Sequence, residues 1–208
     1  MHELEITYLN LKDQIDKKQQ SFLSVWHNDQ VFTELTFCIC TPQSKAKAGF
    51  KASERLKDVQ LIEYNRYLIE DILGSSGVRF KKNKTKYLLE AYEKYSKNIK
   101  NVIYEKVIEL GEPGTRNWIA ENIKGLGMKE ASHFLRNIGY GKNVCILDRH
   151  ILRELERHGV ISTPEKFDKT AYLDIEEKMI AFAHELNIPV FALDFVFWAD
   201  THNGELFK

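Results

Sequence analysis

The sequence predicts an all-α fold made of two helical parts. Apolar residues recur at helical spacing along most of the 208-residue chain, and strand-like alternation of apolar and polar residues is scarce. Glycine, proline and serine, which turns prefer, interrupt the helical pattern only briefly, at 74–77, 111–114, 125–127, 139–141 and 188–189. Short connections of this kind are typical of all-α domains.

The helices follow one another from the start of the chain. An amphipathic helix opens it, with lysines and glutamines between the apolar positions Leu4, Leu11, Ile15 and Phe22. A second helix, over 29–40, is apolar on all sides and is expected at the centre of the core. It ends before Pro42, because proline cannot continue a helix as an interior residue. Further helices are predicted at 43–57, 63–73, 83–97, 100–110, 114–123, 129–138, 147–158, 168–187 and 190–202.

Composition sets the class of protein but does not reveal a partner. With 43% apolar residues the chain can build a sizeable core, and its 30 basic and 30 acidic residues create no strong overall field. Contact with a polyanion must therefore come from local clustering. The only local basic run is 79–86, which is either a solvated loop or a phosphate-facing patch.

The cysteines and the apolar runs indicate a soluble intracellular protein. Cys38, Cys40 and Cys145 are an odd number in a chain without a secretory leader, so we expect reduced thiols that serve in packing. No run approaches the roughly 18 consecutive apolar residues that a membrane-spanning helix requires. We therefore expect no membrane contact and no metal site.

Two glycines mark a tight turn between helices. Gly125 and Gly127 stand between a helix that ends near Ile123 and one that begins near Met128. Glycine lets the backbone turn sharply and approach a ligand, and the free N–H groups at the second helix's start suit a phosphate oxygen. The pattern fits either a sequence-independent grip on DNA or a simple turn.

Lys129 lies in the first turn of this second helix, where the positive helix end disfavours a cation. That field favours the neutral amine, which is the form that attacks a carbon to make a Schiff base. An ordinary surface lysine is the alternative.

Asp148 follows the apolar run 144–147 and precedes a predicted helix. An aspartate at this place either caps the helix or supplies a charge beside a reacting group.

The combination Gly125-x-Gly127-x-Lys129 followed by Ile146-Leu147-Asp148-Arg149-His150 resembles the helix-hairpin-helix DNA glycosylases. In lyase-competent members the lysine attacks the sugar C1′ and the aspartate is catalytic, which implies these roles for Lys129 and Asp148. The stretches 34–38 and 129–137 and the C-terminal Lys208 are similar to the archaeal-type 8-oxoguanine DNA glycosylase/AP lyase group. There a terminal lysine is associated with telling 8-oxoguanine from guanine; a frayed tail is the other interpretation of Lys208.

The resemblance implies an architecture and a partner. We expect a helical barrel over 26–135 that includes the helix-hairpin-helix at about 116–138, and a second subdomain formed by 1–25 and 136–208. The active site would lie in the cleft between them. The expected partner is double-stranded DNA that contains an oxidised base, bound by a monomer without a cofactor. The iron–sulfur cluster of some relatives is excluded, because no cysteine follows Cys145.

Four further residues are candidates for contacts with a flipped base or with the duplex. Trp198 and then Phe80 offer flat faces for stacking, although Phe80 also suits the core. Asp194 could accept a hydrogen bond from the guanine edge, pair with a basic residue or cap a helix. Gln43 stands where similar glycosylases carry a polar wedge, and a polar residue at a helix start is equally consistent.

The implied function is base-excision repair by a bifunctional enzyme. It would remove 8-oxoguanine through a Schiff base on Lys129 and then cut the strand as an AP lyase, by β-elimination. A related glycosylase for another lesion, such as an oxidised pyrimidine or an alkylated purine, is the nearest rival. A non-catalytic helix-hairpin-helix DNA-binding module is the rival from another class, but it needs neither Lys129 nor Asp148.

Overall fold

The computed structural model describes residues 3–58 and 65–201, and within these ranges it is helical with no strand. The all-α prediction is therefore confirmed. The helices are α1 (Glu3–His27), α2 (Val31–Cys40), α3 (Ala46–Asp58), α4 (Arg66–Ser75), α5 (Lys81–Tyr95), α6 (Ile99–Asn122), α7 (Met128–Asn137), α8 (Arg149–Arg157), α9 (Lys169–Glu185) and α10 (Val190–Thr201).

The predicted break at 111–114 is a kink rather than a loop. Gly111 leaves the helical region with φ 66° and ψ 177°, and Pro113 follows it inside α6. A positive φ is readily adopted by glycine, and proline suits the first turn of the helix that resumes. Two helical stretches therefore meet at this kink within α6, at the break that the sequence predicts.

Two apolar clusters form the core of the described chain. The first comes from α2 to α7, and the second comes from α1, α8, α9, α10 and the segment between α7 and α8. The predicted central helix, α2, packs against α3, α5, α6 and α7, which explains why it is apolar on all sides. The proposed subdomain boundaries stay a prediction.

All three cysteines are buried and none forms a disulfide bond, as expected for packing residues. Burial raises the pKa of Cys40 to about 12, and burial also raises the pKa of Cys145 well above its ordinary value. Burial therefore favours the protonated form of both thiols at neutral pH.

The loop interpretation of the basic run 79–86 is wrong for most of the run, which lies in the first turns of α5, and the phosphate-facing interpretation stays a prediction. Lys84 is also buried there, at 4% exposure. Its Nζ donates to the backbone oxygens of Cys40 and Pro42, both at 2.7 Å, and to Ser44 Oγ at 3.0 Å. Only the other basic side chains of the run remain available to a phosphate.

No single helix in residues 3–58 and 65–201 is long and apolar enough to cross a membrane. Helix α9 and most of α10 meet the length and composition requirement only as a pair, and that pair is bent by 85°.

Candidate active site

A cavity of about 230 Å³ lies where α7, α8 and α10 meet the turn after α2. Four residues that the sequence analysis selects line it: Lys129, Asp148, Asp194 and Trp198. The other lining residues are Thr41, Ser44, Ala46, His133, Arg136, Ile146, His150, Ile151 and Phe195. The two candidate catalytic residues thus share one cavity, although they lie on different helices.

The hairpin that leads into α7 needs glycine at its first position. Gly125 has φ 91°, and a Cβ there would stand 2.7 Å from Cδ2 of Tyr87. Gly127 is extended and exposed, and it begins α7 without a side-chain cap. The first N–H groups of α7 therefore have no cap from the N-cap residue, and the side chain that comes near is Glu130, whose Oε2 lies 3.3 Å from the position of a Cβ on Gly127.

Lys129 is the second residue of α7, and its side chain is 31% exposed. Its Nζ lies 3.2 Å from Oε1 of Glu130, the next residue. The amine thus has a carboxylate beside it and still lines the cavity. A small molecule or flipped nucleotide that enters the cavity meets this amine.

Asp148 is the N-cap of α8. Its Oδ1 accepts hydrogen bonds from the backbone N–H groups of His150 at 2.8 Å and Ile151 at 2.9 Å. The Oδ2 atom takes part in neither of these bonds. The capping interpretation of this aspartate is therefore confirmed, and the residue also lines the cavity. Its role as a charge beside a reacting group stays a prediction.

Asp194 pairs with Arg136, which gives this buried carboxylate the basic partner that it requires. Its Oδ2 accepts a hydrogen bond from Nη1 of Arg136, and its Oδ1 accepts one from the N–H of Phe195 at 2.9 Å. The guanidinium of Arg136 lies between two rings, 5.2 Å from Phe22 and 4.8 Å from Phe195. Burial raises the pKa of Asp194, and Arg136 counteracts this effect. Asp194 lies inside α10, so it does not cap that helix.

Trp198 forms one wall of the cavity, and its ring meets the ring of His150 edge-on at 5.3 Å between centroids. His150 Nε2 lies 3.2 Å from the carbonyl oxygen of Phe197. This packing fixes the indole and leaves it half-buried at the cavity, where a flat base could stack on it.

Phe80 does not join this cavity. With Gln43 and Gly125 it lines a second cavity of about 240 Å³. Phe80 precedes α5 in the left-handed conformation with φ 57°, and its side chain is 53% exposed. Its placement therefore gives no support to stacking against a base held beside Lys129. Lys208 lies outside the described residues.

Sequence reasoning missed His133 and Arg136. They lie four and seven residues after Lys129, so all three side chains lie on one face of α7. That spacing was the available signal. Thr41 and Ser44 carried no comparable pattern, since they come to the cavity only through the turn after α2.

Within the described ranges, no group of three or more histidine, cysteine, aspartate or glutamate residues is arranged to hold a metal ion. The charged groups at the cavity are the side chains already named.

Comparison with known proteins explains this arrangement. The family model for 8-oxoguanine DNA glycosylase (Ogg-HhH) matches residues 15–188. The chain belongs to the 8-oxoguanine DNA glycosylase family. The resemblance inferred from the hairpin, the lysine and the aspartate is thereby confirmed.

Relatives of this family member match over its whole length. The 8-oxoguanine DNA glycosylase/AP lyase of Fusobacterium nucleatum is 40% identical, over 100% of this chain and 97% of the relative. The structure of the Methanocaldococcus jannaschii 8-oxoguanine glycosylase/lyase in complex with a 15mer DNA containing 8-oxoguanine has a TM-score of 0.85 at 34% identity, and it covers 100% of both chains. The Thermotoga maritima 8-oxoguanine DNA glycosylase has a TM-score of 0.84 at 27% identity, with 99% and 97% coverage.

Proposed function

We propose that this protein removes 8-oxoguanine from double-stranded DNA and then cleaves the strand at the abasic site. It is a DNA glycosylase and AP lyase of base-excision repair. Family membership and the relatives' names support the activity. The single structural observation that carries it is that Lys129 and Asp148 line one cavity.

The reaction begins with extrusion of the damaged nucleotide, because a stacked base cannot reach a side chain in a cleft. The cavity beside Lys129 receives the base, and Trp198 offers it a flat face. Asp194 and its partner Arg136 bring polar groups to the same space, where they contact the edge of the purine. We assign a base-recognition role to Lys208 on the resemblance alone.

Asp148 acts on the bond between base and sugar. As that bond breaks, C1′ gains positive charge, and an ionised carboxylate stabilises it. The Oδ1 atom is committed to two backbone N–H groups, so the carboxylate is held in one orientation while it faces the sugar. The helix cap thereby serves the chemistry.

Lys129 completes the reaction. Its neutral amine forms a bond to C1′ as the base leaves with the electrons of the glycosidic bond. The C1′–O4′ bond then breaks, O4′ takes up the proton that the amine loses and becomes a hydroxyl, and the ring-opened sugar is left as a Schiff base on Lys129. The Schiff base makes the 2′-hydrogen acidic, and β-elimination then breaks the C3′–O bond and expels the 3′ phosphate.

The hairpin supplies the grip on the duplex. Gly127 begins α7 and has no side chain that could cap the N–H groups of the first turn. A DNA phosphate oxygen binds there. We assign Gln43, which is exposed beside the second cavity, the role of the wedge. We propose that one protomer is sufficient, which sedimentation of the complex with a short duplex tests.

Base release from matched duplexes tests the proposed lesion. The substrates carry a single 8-oxoguanine, a single thymine glycol or unmodified guanine at one position. Excision of 8-oxoguanine alone under single-turnover conditions is the expected result. Faster release of thymine glycol would replace 8-oxoguanine by an oxidised pyrimidine as the lesion.

A further inference from the structure

The segment just before Asp148 contains buried backbone groups that need hydrogen-bond partners. Residues 144–147 are a non-helical part of the connection between α7 and α8, and Val144, Cys145 and Leu147 are buried. Buried backbone groups need partners, and the described part of the chain contains no strand that could pair with this segment. Side chains must therefore supply the missing bonds.

Two side chains of α9 supply them. Tyr172 and Glu176 are four residues apart, so they share one face of the helix. Glu176 Oε1 accepts a hydrogen bond from the N–H of Cys145 at 2.8 Å, and the Tyr172 hydroxyl donates to the carbonyl of Cys145 at 2.6 Å. The N–H of Leu147 points to the same hydroxyl at 3.4 Å. Side chains of α9 thus supply the hydrogen bonds that a neighbouring strand would supply to this segment.

A buried charge pair holds Glu176 in place. Arg116 on α6 is fully buried, and its Nη1 and Nη2 bind the two carboxylate oxygens at 3.0 and 2.6 Å. A two-pronged pair of this type has a fixed geometry. The Cζ of Arg116 also lies 5.2 Å from the ring centre of Tyr172.

The same network reaches the helix of Lys129. Because the Tyr172 hydroxyl donates to Cys145, it can only accept from Ser132 Oγ, which lies 3.2 Å away. Ser132 is three residues after Lys129 on α7. A continuous set of bonds therefore runs from α7 to the residue three positions before Asp148.

We propose that Tyr172 and Glu176 are positioning residues that fix Asp148 relative to Lys129. In the part of the chain that the structure describes, neither residue lines the cavity, so they act through the segment 144–147 and not on the substrate. The inference rests on the proposed function, since it concerns the geometry of that reaction.

The test is Tyr172→Phe, which removes one hydroxyl and keeps the ring against Arg116. Misplacing a catalytic group by about 1 Å costs on the order of 100-fold in rate, so we expect base release to slow by roughly 10- to 100-fold. Binding of a duplex with an uncleavable 8-oxoguanine analogue should stay within about twofold of wild type, because the hairpin is untouched.

Borohydride trapping on a preformed abasic site separates positioning from loss of folded protein. Trapping needs the amine of Lys129, which stays on α7, whereas base release also needs Asp148. Tyr172→Phe should therefore lose more base release than trapping. Equal losses of both would overturn the inference, because fewer folded molecules lower both alike.

Two further variants complete the design. Ser132→Ala breaks the link to α7 while Cys145 keeps its partners, and it should also lose more base release than trapping, by a smaller factor. If the ratio of base release to trapping equals that of wild type in both variants, the inference is overturned, even if Tyr172→Phe folds poorly. Tyr140→Phe is the matched control, because it also removes one tyrosine hydroxyl; the ring of Tyr140 packs edge-on against Trp26 at 4.9 Å. Its base release and trapping should equal those of wild type. Normal base release by Tyr172→Phe removes the inference and leaves the proposed function intact, whereas an inactive wild type removes both.

Discussion

Oδ1 of Asp148 accepts a hydrogen bond from the backbone N–H of Ile151 at 2.9 Å, so the carboxylate that faces the cavity also caps α8. The two roles can be separated because asparagine caps a helix about as well as aspartate but carries no charge.

Asp148→Asn should slow base release by on the order of 100- to 1000-fold and change the free energy of unfolding by less than about 0.5 kcal/mol. The measurements are single-turnover excision and urea denaturation. Asp168→Asn is the matched control, because Asp168 caps α9 through two bonds of 3.1 Å and lies outside the cavity lining. A wild-type rate for Asp148→Asn would leave Asp148 with the capping role alone.

Arg136→Met should destabilise the protein by about 3 kcal/mol, since it leaves the carboxylate of Asp194 buried without its cation. The two side chains are 11% and 14% exposed, so water compensates little. Urea denaturation of both single variants and of Arg136→Met with Asp194→Asn measures the coupling. The double variant should recover part of the loss; strictly additive losses would contradict the pairing.

Lys84→Met should cost about 2 kcal/mol or more, because the backbone oxygens of Cys40 and Pro42 lose their common donor. Burial lowers the pKa of Lys84, because removal from water disfavours the charged amine. Lys82→Met, at an exposed position on the same helix, is the control for urea denaturation. Equal stability of the two variants would mean that Lys84 does not hold the turn after α2.

Chelation should leave the activity unchanged. The proposed steps use an amine and a carboxylate and no metal, so base release and strand cleavage in EDTA should match the untreated enzyme. The measurement is the fraction of nicked duplex with and without EDTA. A loss that added Mg²⁺ restores would contradict the proposed chemistry.

Local sequence pattern was sufficient for much of the fold. The apolar character of α2 predicted its central position, and the two glycines predicted the turn before Met128. Both depend on residues close together in the chain, where helical periodicity and turn preferences act directly. The same holds for Asp148, whose capping bonds reach only three residues ahead.

Long-range pairs could not be predicted in this way. Arg136 finds Asp194 across 58 residues, and Arg116 finds Glu176 across 60. In the sequence these are ordinary charged residues on helices. Only the packing of the helices determines which of them become buried. The position of Phe80 could not be predicted either. The sequence shows an aromatic residue, but the left-handed turn before α5 determines which cavity it lines.

Borohydride trapping of Lys129→Gln tests the central claim most directly. The substrate is a labelled duplex with one 8-oxoguanine, and Lys124→Gln, which changes a 64% exposed lysine of the same hairpin, is the control. Wild type and Lys124→Gln should form the covalent adduct, and Lys129→Gln should bind the duplex without forming it. An adduct in Lys129→Gln would show that another amine attacks the sugar and would contradict the account.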